Sequence, residues 1–243
     1  MEPYPDLTSF LATLSSDTAP SERERLTAML SIEDALWQQG FSHIAGVDEA
    51  GRGPLAGPIV AAAVILKSPV CGLNDSKRLT ERKRAQLYEE IMRGGHIVSV
   101  STIPSKQIDL FGIQAANQSA MRQAVTALSV SPDFVLVDGY KLSGFQQPAM
   151  QVIKGDARSL SIAAASIVAK VTRDRFMLEI DECYPGYGFA RHKGYGTRQH
   201  LEAIKRLGAC PEHRQSFAPF TDNASSEKTF LDFTTNPGRQ DSE

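Results

Sequence analysis

The chain has 243 residues, of which 42% are hydrophobic and 22% charged, and its formal net charge is −2. This length and composition suffice for one well-buried domain. The near-neutral balance excludes a protein that binds nucleic acid through overall positive charge, so any such surface has to be local. The three cysteines are odd in number and widely spaced. That pattern argues against a disulfide framework or a zinc site and favours a reducing compartment.

Membrane insertion and secretion are not expected from the sequence. No apolar stretch approaches the roughly 18 uncharged residues that a membrane-spanning helix needs. The first residues also lack the basic-then-apolar order of a signal peptide. We therefore expect a soluble, cytoplasmic protein without a membrane partner.

Residues 1–40 are predicted to be an N-terminal extension with one amphipathic helix. After a polar start, residues 21–24 read Ser-Glu-Arg-Glu, which is the pattern of a capping box, and apolar residues then recur at roughly helical spacing up to Trp37. The main domain is expected at 41–220. The polar residues 221–243 are expected to form a flexible tail.

Within the main domain, apolar runs of strand length alternate with segments of helical spacing. The strands are predicted at 44–48, 59–66, 96–103, 134–137 and 149–153. The helices are predicted at 80–92, 113–128 and 197–207, with a long one from 160 that ends before Pro185. This alternation indicates an α/β fold around a mixed sheet.

Four acidic residues follow or end predicted strands. Asp48 and Glu49 are adjacent at the end of the first strand, Asp138 ends another, and Asp156 follows a third. Strand ends are where sites form in open α/β sheets, so these carboxylates are candidates for one cluster. An all-oxygen set favours Mg²⁺ or Mn²⁺, and two such ions about 4 Å apart can hold a scissile phosphate. The alternative is that each acid is a solvated turn residue or a helix cap, and spacing alone does not decide between them.

Six segments of the chain closely resemble bacterial ribonuclease HII, and they occur in the order found in that family. They are GVDEAGRGP at 46–54, NDSK at 74–77, VDG at 137–139, KGD at 154–156, SIAAASIVAKVTRD at 161–174 and HKGYGT at 192–197. The resemblance runs from about residue 44 to residue 220. It implies an RNase H-like fold, in which helices flank a mixed five-stranded sheet and a helical C-terminal extension follows.

The resemblance also implies an activity and its cofactor. Members of the family are endonucleases that cut the RNA strand of RNA–DNA hybrids and cut 5′ to single ribonucleotides embedded in duplex DNA, with Mn²⁺ or Mg²⁺. Carried over by position, the metal ligands are Asp48, Glu49, Asp138 and Asp156. The expected products carry 5′-phosphate and 3′-hydroxyl ends, and no Ser, Cys or His nucleophile is needed.

Substrate-binding residues are implied in the same way. The turn of Gly51, Arg52 and Gly53 is expected to read the ribose 2′-hydroxyl, because a backbone without Cβ atoms can approach the sugar closely. Tyr195 is expected to stack on the sugar at the RNA-to-DNA junction. Lys77 and Lys170 are candidates for phosphate contacts. Taken alone, the glycines also fit a plain tight turn, and the tyrosine also fits ordinary packing.

Other functions were weighed against this one. Residues 51–56 formally match the dinucleotide-binding pattern G-x-G-x-x-G/A, but an apolar β-branched run follows where that motif requires a helix. A protein of the same fold that binds hybrids without cutting them is a further alternative, against which the four acids argue. A monomer is the default expectation. A sliding-clamp contact through residues 229–233, Thr-Phe-Leu-Asp-Phe, is a weak additional hypothesis.

Overall fold

A five-stranded mixed sheet forms the centre of the protein in the computed structural model, which describes residues 6–139 and 144–221. The strands are β1 (Ile44–Ala50), β2 (Ile59–Ile65), β3 (Ile97–Ile103), β4 (Phe134–Asp138) and β5 (Ala149–Val152). Their order across the sheet is β3-β2-β1-β4-β5. β2 pairs antiparallel with β1 and β3, whereas β4 pairs parallel with β1 and β5. The predicted sheet and the predicted fold class are confirmed.

Helices cover both faces of this sheet. Their bounds are α1 (Leu7–Ala12), α2 (Pro20–Met29), α3 (Ser31–Trp37), α4 (Glu81–Arg93), α5 (Ser105–Phe111), α6 (Ile113–Thr126), α7 (Leu160–Cys183), α8 (Phe189–His192) and α9 (Arg198–Leu207). α7 and α4 pack on one face together with the N-terminal helices, and α6 packs on the other. α8 and α9 form the helical C-terminal extension beside the end of α7. Among the residues described, every helix is too short or too polar to cross a lipid bilayer.

The long helix α7 lies closest to the sheet at its N-terminal end. The Ser159 hydroxyl caps it by accepting the N–H of Ile162 at 3.2 Å. Gly46 of β1 faces this end, and a Cβ built on it would lie closer than 3.0 Å to the backbone of Ser161. Glycine at 46 therefore brings the first turn of α7 against β1, two residues from Asp48.

The N-terminal extension contains three helices rather than the single one predicted. Its apolar side chains Leu26, Leu30 and Trp37 belong to the same buried cluster as α7. The predicted capping box at 21–24 is also wrong, because α2 begins at Pro20 and has no side-chain cap. The Glu22 carboxylate instead binds Arg25 at 2.7 Å and accepts the N–H of Gly72.

A buried acid ties this extension to α7. Glu33 of α3 is 1% exposed, and its Oε1 accepts the Ser159 hydroxyl at 2.7 Å and the Ser161 N–H at 3.1 Å. A carboxylate at this position also interacts favourably with the positive end of the α7 dipole. Burial nevertheless raises the pKa of Glu33, so the interaction is made at a desolvation cost.

Two details of the main domain differ from the sequence-based predictions. β1 does not end at Asp48 but continues to Ala50, because β2 pairs with it as far as Ala50 opposite Val60. Helices α5 and α8 were not predicted, since their seven and four residues are too short to give a clear helical period. The predicted flexible tail, apart from Thr221, and the possible clamp-binding residues 229–233 lie outside the described residues.

Candidate active site

Asp48 and Glu49 lie on β1 at the point where the sheet meets the loop that follows. Successive residues of a strand face opposite sides, and the two carboxylates are accordingly held by different partners. Asp48 is 6% exposed, lies on the α7 face with Gly46, and accepts the N–H of Glu49 at 2.7 Å. Glu49 accepts a hydrogen bond from the side chain of Asn117 on α6. The two acids thus approach the end of the strand from both faces of the sheet.

The parallel pairing of β1 and β4 brings Asp138 beside them. Val47 and Val137 are direct partners in the ladder, so the next residues, Asp48 and Asp138, extend from the same edge. One oxygen of Asp138 accepts the N–H of Gly155 at 2.6 Å. Sheet register therefore accounts for the approach of acids that are far apart in the sequence.

Asp156 reaches this edge from the 3₁₀ turn Gly155–Ala157, which joins β5 to α7. Its carboxylate lies 4.0 Å from the Nζ of Lys77 and next to the carboxylate of Asp75. Asp75 also accepts the backbone N–H of Lys77 at 2.9 Å. Burial and then the neighbouring charges of Asp138 and Asp75 raise the pKa of Asp156. Asp75 is thus a fifth acid at this edge that the sequence analysis did not single out.

The cluster is electrostatically unfavourable without a cation. Burial, followed by the charges of Glu49, Asp138 and Asp156, raises the pKa of Asp48 well above its usual value. Burial also raises the pKa of Glu49 to about 7. Buried like charges oppose one another's ionisation, and a bound divalent ion would relieve that repulsion.

The donor set of the cluster matches a hard divalent cation, since all four candidate ligands are carboxylates. As the side chains stand, no three acidic, histidine or cysteine groups within the described residues converge tightly enough to enclose an ion. Asp48 and Asp138 each have one oxygen held by a backbone N–H. Holding an ion therefore requires the carboxylates to adjust within a constrained cluster.

An open cleft adjoins the acids and contains every residue expected to bind substrate. It is lined by Asp48, Glu49, Gly51, Arg52, Gly53, Ser76, Lys77, Ser166, Lys170, Arg173 and Tyr195, among others. Asp138 and Asp156 lie just beside this lining, next to Gly155 and Lys77. The structure thus brings the ten predicted site residues together in one region.

The loop that begins at Gly51 forms one wall of the cleft. Gly51 has φ +102°, and a Cβ on it would collide with the Arg173 side chain and would lie 2.6 Å from the Pro58 carbonyl oxygen. A Cβ on Gly53 would meet only the Tyr195 ring, at 3.8 Å. Glycine is therefore required at 51 by the backbone and its neighbours, whereas at 53 it leaves space in the cleft. The same loop leads into β2 rather than a helix, which excludes the dinucleotide-binding alternative.

The cationic residues of the cleft differ in how firmly they are held. The Nε of Arg52 lies 3.9 Å from the Glu49 carboxylate, and the Nζ of Lys170 lies 2.7 Å from Asp174. The Lys77 side chain is 83% exposed. Tyr195 is 47% exposed at the opposite wall, so its ring is accessible to a ligand.

Buried histidines support the loop that carries Tyr195. The Nδ1 of His200 lies 2.9 Å from the Tyr195 carbonyl oxygen, and its Nε2 lies 3.1 Å from the Nε2 of His213. Because a carbonyl can only accept, Nδ1 of His200 carries the proton and Nε2 accepts from His213. The Nδ1 of His213 in turn accepts the N–H of Cys210 at 2.9 Å. This chain of hydrogen bonds requires both rings to be neutral, and burial lowers the pKa of His200 to about 4.

Several residues of the site were not found from the sequence. Asn117 is 1% exposed within the apolar face of α6, and a polar residue in that pattern was the available signal. Arg173 and Arg214 are also fully buried and contact the loop after Gly51. Arg173 lies in the matched segment 161–174, but neither arginine has a local pattern that marks it as buried, because their partners are distant backbone carbonyls.

Comparison with known proteins supports the resemblance to ribonuclease HII that the sequence shows. The family model described as Ribonuclease HII matches residues 45–220. Ribonuclease HII of Bacillus cereus (strain ZK / E33L) is 50% identical over 208 residues, which cover 85% of this chain and 80% of that protein. Ribonuclease HII of Desulfitobacterium hafniense (strain Y51) is 52% identical over 200 residues, 82% of this chain and 77% of that protein.

Solved structures share the fold. The ribonuclease H2 of Pyrococcus horikoshii OT3 superposes with a TM-score of 0.63 at 25% identity, covering 76% of this chain and 98% of that one. For the PCNA:RNase HII complex of Archaeoglobus fulgidus the TM-score is 0.63 at 24% identity, and the match covers 72% of this chain and 95% of that one. For Bst-RNase HIII in complex with Mn²⁺ the TM-score is 0.56 at 19% identity, and the match covers 77% of this chain and 70% of that one.

The sheet order, the acids at its edge and the match over most of the chain agree with one another, and the resemblance found in the sequence is confirmed. The chain belongs to the ribonuclease HII family and is a ribonuclease H, a nuclease that hydrolyses phosphodiester bonds in RNA–DNA substrates.

Proposed function

We propose that this protein is an endoribonuclease that cuts the RNA strand of RNA–DNA hybrids and also cuts 5′ to single ribonucleotides embedded in duplex DNA. The observation that carries this proposal is the position of four acids at one sheet edge: Asp48, Glu49, Asp138 and Asp156. They lie beside a cleft lined by Gly51–Gly53 and Tyr195. Hydrolysis there leaves 5′-phosphate and 3′-hydroxyl ends.

The four carboxylates are proposed to hold two Mn²⁺ or Mg²⁺ ions. Their oxygen-only chemistry and the raised pKa values of Asp48 and Glu49 support this, as does the Mn²⁺ in the structural relative Bst-RNase HIII. When bound, such ions activate a water and stabilise the leaving oxygen of a phosphodiester. Asp48 and Asp138, each oriented by a backbone N–H, are the residues best placed to hold them.

Water is the proposed nucleophile because the cleft offers no activated side chain. Its lining contains neither histidine nor cysteine. Its two serines, Ser76 and Ser166, hydrogen bond to each other at 2.8 Å and have no basic partner that could remove a proton. A covalent enzyme intermediate is therefore not part of the proposed reaction.

Substrate selection is assigned to the walls of the cleft. The backbone of Gly51–Gly53 would read the 2′-hydroxyl, which distinguishes RNA from DNA. The exposed ring of Tyr195 would stack on the sugar at the junction. Lys77, Lys170 and Arg52 would contact phosphates, which gives affinity that is independent of sequence and sensitive to salt.

The first test is cleavage of a labelled DNA duplex that carries one ribonucleotide, in Mn²⁺, in Mg²⁺ and in excess chelator, beside an all-DNA duplex. The proposal expects a metal-dependent cut 5′ to the ribonucleotide and none in the control duplex. Binding without cleavage in either metal would instead support a protein that only binds hybrids. A contact between residues 229–233 and a sliding clamp remains a prediction, which a binding assay with the truncated chain 1–221 can test.

A further inference from the structure

Arg214 is fully buried against the loop that begins at Gly51. Its Nη2 donates to the carbonyl oxygens of Gly51 at 2.6 Å and Gly57 at 2.8 Å, its Nη1 donates to Arg52 at 3.0 Å, and its Nε donates to Gly57 at 3.0 Å. Its exposed fraction is 0%. One guanidinium from the C-terminal segment therefore binds both ends of this loop.

Arg173 of α7 binds the C-terminal end of this loop from the other side. Its Nε donates to the carbonyl of Pro58 at 2.9 Å and its Nη2 to Ala56 at 3.1 Å. Its Nη1 donates to the carbonyl of Lys193 at 3.0 Å, two residues before Tyr195. Arg173 thus connects the wall formed by the loop to the wall that carries the tyrosine.

Among the described residues, neither guanidinium pairs with an anion. Within the described residues, no carboxylate oxygen lies within 4.0 Å of Arg173 or Arg214. Burial lowers the pKa of Arg173 to about 10 and that of Arg214 to about 9, so keeping the two charges there is costly. The carbonyl oxygens that they bind are what offsets this cost, and both arginines depend on the loop as the loop depends on them.

The contacts of Arg214 determine which way the peptide groups of the loop face. In a trans peptide, the carbonyl of one residue and the N–H of the next point in opposite directions. With the carbonyls of Gly51 and Arg52 turned inward to Arg214, the N–H groups of Arg52 and Gly53 are turned outward. Gly53 lines the cleft, and its N–H has no hydrogen-bond partner in the part of the chain that the structure describes.

We propose that Arg214 and Arg173 are positioning residues for sugar recognition, which hold the Gly51–Gly53 backbone with its N–H groups aimed at the ribose 2′-hydroxyl. This inference rests on the proposed function, since it assumes that the loop reads the sugar. The C-terminal segment is then part of the substrate site. Besides the Arg214 side chain, two backbone hydrogen bonds join it to the loop: the Arg214 N–H donates to the Leu55 carbonyl at 2.9 Å, and the Gly57 N–H donates to the Glu212 carbonyl at 2.9 Å.

The test compares Arg214→Lys and Arg173→Lys with wild type. Lysine keeps the positive charge but cannot bind several carbonyls at once with a planar fork. The dissociation constants of an all-DNA duplex and of the same duplex with one ribonucleotide are measured by fluorescence anisotropy in excess chelator, which prevents cleavage. The readout is their ratio, because a purely structural defect would weaken both equally. Arg25→Lys is the matched control, since Arg25 also donates to a backbone carbonyl, that of Leu73, away from the loop.

We expect the preference of wild type for the ribonucleotide duplex to fall by about tenfold in both variants, as for the loss of one well-aligned hydrogen bond to substrate. The affinity for all-DNA duplex should stay within about twofold, and Arg25→Lys should keep the full preference. Should Arg214→Lys not fold, Arg173→Lys decides the matter. An unchanged ratio in a folded variant would overturn the inference alone. A wild type that neither cuts nor prefers the ribonucleotide duplex would instead overturn the proposed function.

Discussion

The acidic edge and the glycine loop face the same cleft but are constructed in opposite ways. At the acidic edge, sheet register and one short turn bring carboxylates together, and burial followed by the neighbouring carboxylates raises the pKa values of Asp48 and Asp156. At the loop, two buried positive charges are surrounded by backbone carbonyls. The comparison teaches that the first region carries charge that a divalent cation would balance, whereas the buried charges of the second are stabilised by hydrogen bonds within the protein.

The largest expected effect is on the acidic edge. Asp138→Asn keeps the shape of the side chain and an acceptor for the Gly155 N–H, but it removes a charge that a metal ion needs. We expect cleavage of the ribonucleotide duplex to fall by about a thousandfold or more in Mn²⁺. Because the mutual repulsion also falls, the melting temperature in chelator should stay equal or rise. Asp133→Asn, at the other end of β4, is the control and should keep wild-type turnover; near-normal turnover by Asp138→Asn would refute the ligand assignment.

The next effect separates the two glycines of the loop. Gly51→Ala places a Cβ against Arg173 and Pro58 at a positive φ, and we expect a loss of about 3 kcal/mol in unfolding free energy. Gly53→Ala meets only the Tyr195 ring, so its stability should change by no more than about 0.5 kcal/mol. Thermal denaturation measures both.

Activity should sharpen this contrast. Gly53→Ala should lose about tenfold in kcat/KM on the ribonucleotide duplex despite its normal stability, because its Cβ occupies the space between the loop and Tyr195. If Gly53→Ala is as unstable as Gly51→Ala, glycine at 53 serves the fold rather than the cleft.

A smaller and more selective effect is expected at the opposite wall. Tyr195→Ala removes the exposed aromatic ring, and loss of one stacking contact corresponds to about 1–3 kcal/mol. We expect kcat/KM to fall more for a single embedded ribonucleotide than for a long RNA–DNA hybrid, which offers many alternative positions for cutting. Tyr195→Phe is the control and should retain most activity on both. Equal losses on the two substrates would argue against a role at the junction.

The smallest effect concerns pH and contrasts the acids with the histidines behind Tyr195. The pKa of Glu49 is raised to about 7, so in chelator its ionisation costs stability as pH rises from 4.5 to 7. The pKa of His200 is lowered to about 4. The neutral ring therefore contributes fully to folding stability above pH 6.5, and this stability is lost as pH falls from 6.5 toward 4.

Variants can separate the opposing pH dependences of folding stability that Glu49 and His200 produce. Above pH 7, Glu49→Gln should have a higher melting temperature than wild type. His200→Asn should have a lower melting temperature than wild type, and this difference should be smallest at acidic pH. Differential scanning fluorimetry between pH 5 and pH 8 in chelator measures both. A parallel pH dependence for wild type and His200→Asn would show that His200 does not titrate in this range.

Much of the fold and of the acidic edge could be predicted because its signals are local. The apolar runs before Asp48 and Asp138 marked buried strands, and their acids then stood at strand ends. Errors occurred where local signals compete or are short. Residues 21–24 match a capping box, yet Pro20 begins the helix and Glu22 pairs elsewhere. The seven residues of α5 were too few to show a period.

The sequence by itself determined the order of the five strands and the acids near their ends, because hydrophobic periodicity is read from neighbouring residues. Only the tertiary structure decided that Arg173 and Arg214 are buried cations rather than surface ones. Arg214 and Gly51 are 163 residues apart in sequence. Their interaction joins a side chain to backbone carbonyls, which every residue possesses, so no residue type at the partner position announces it.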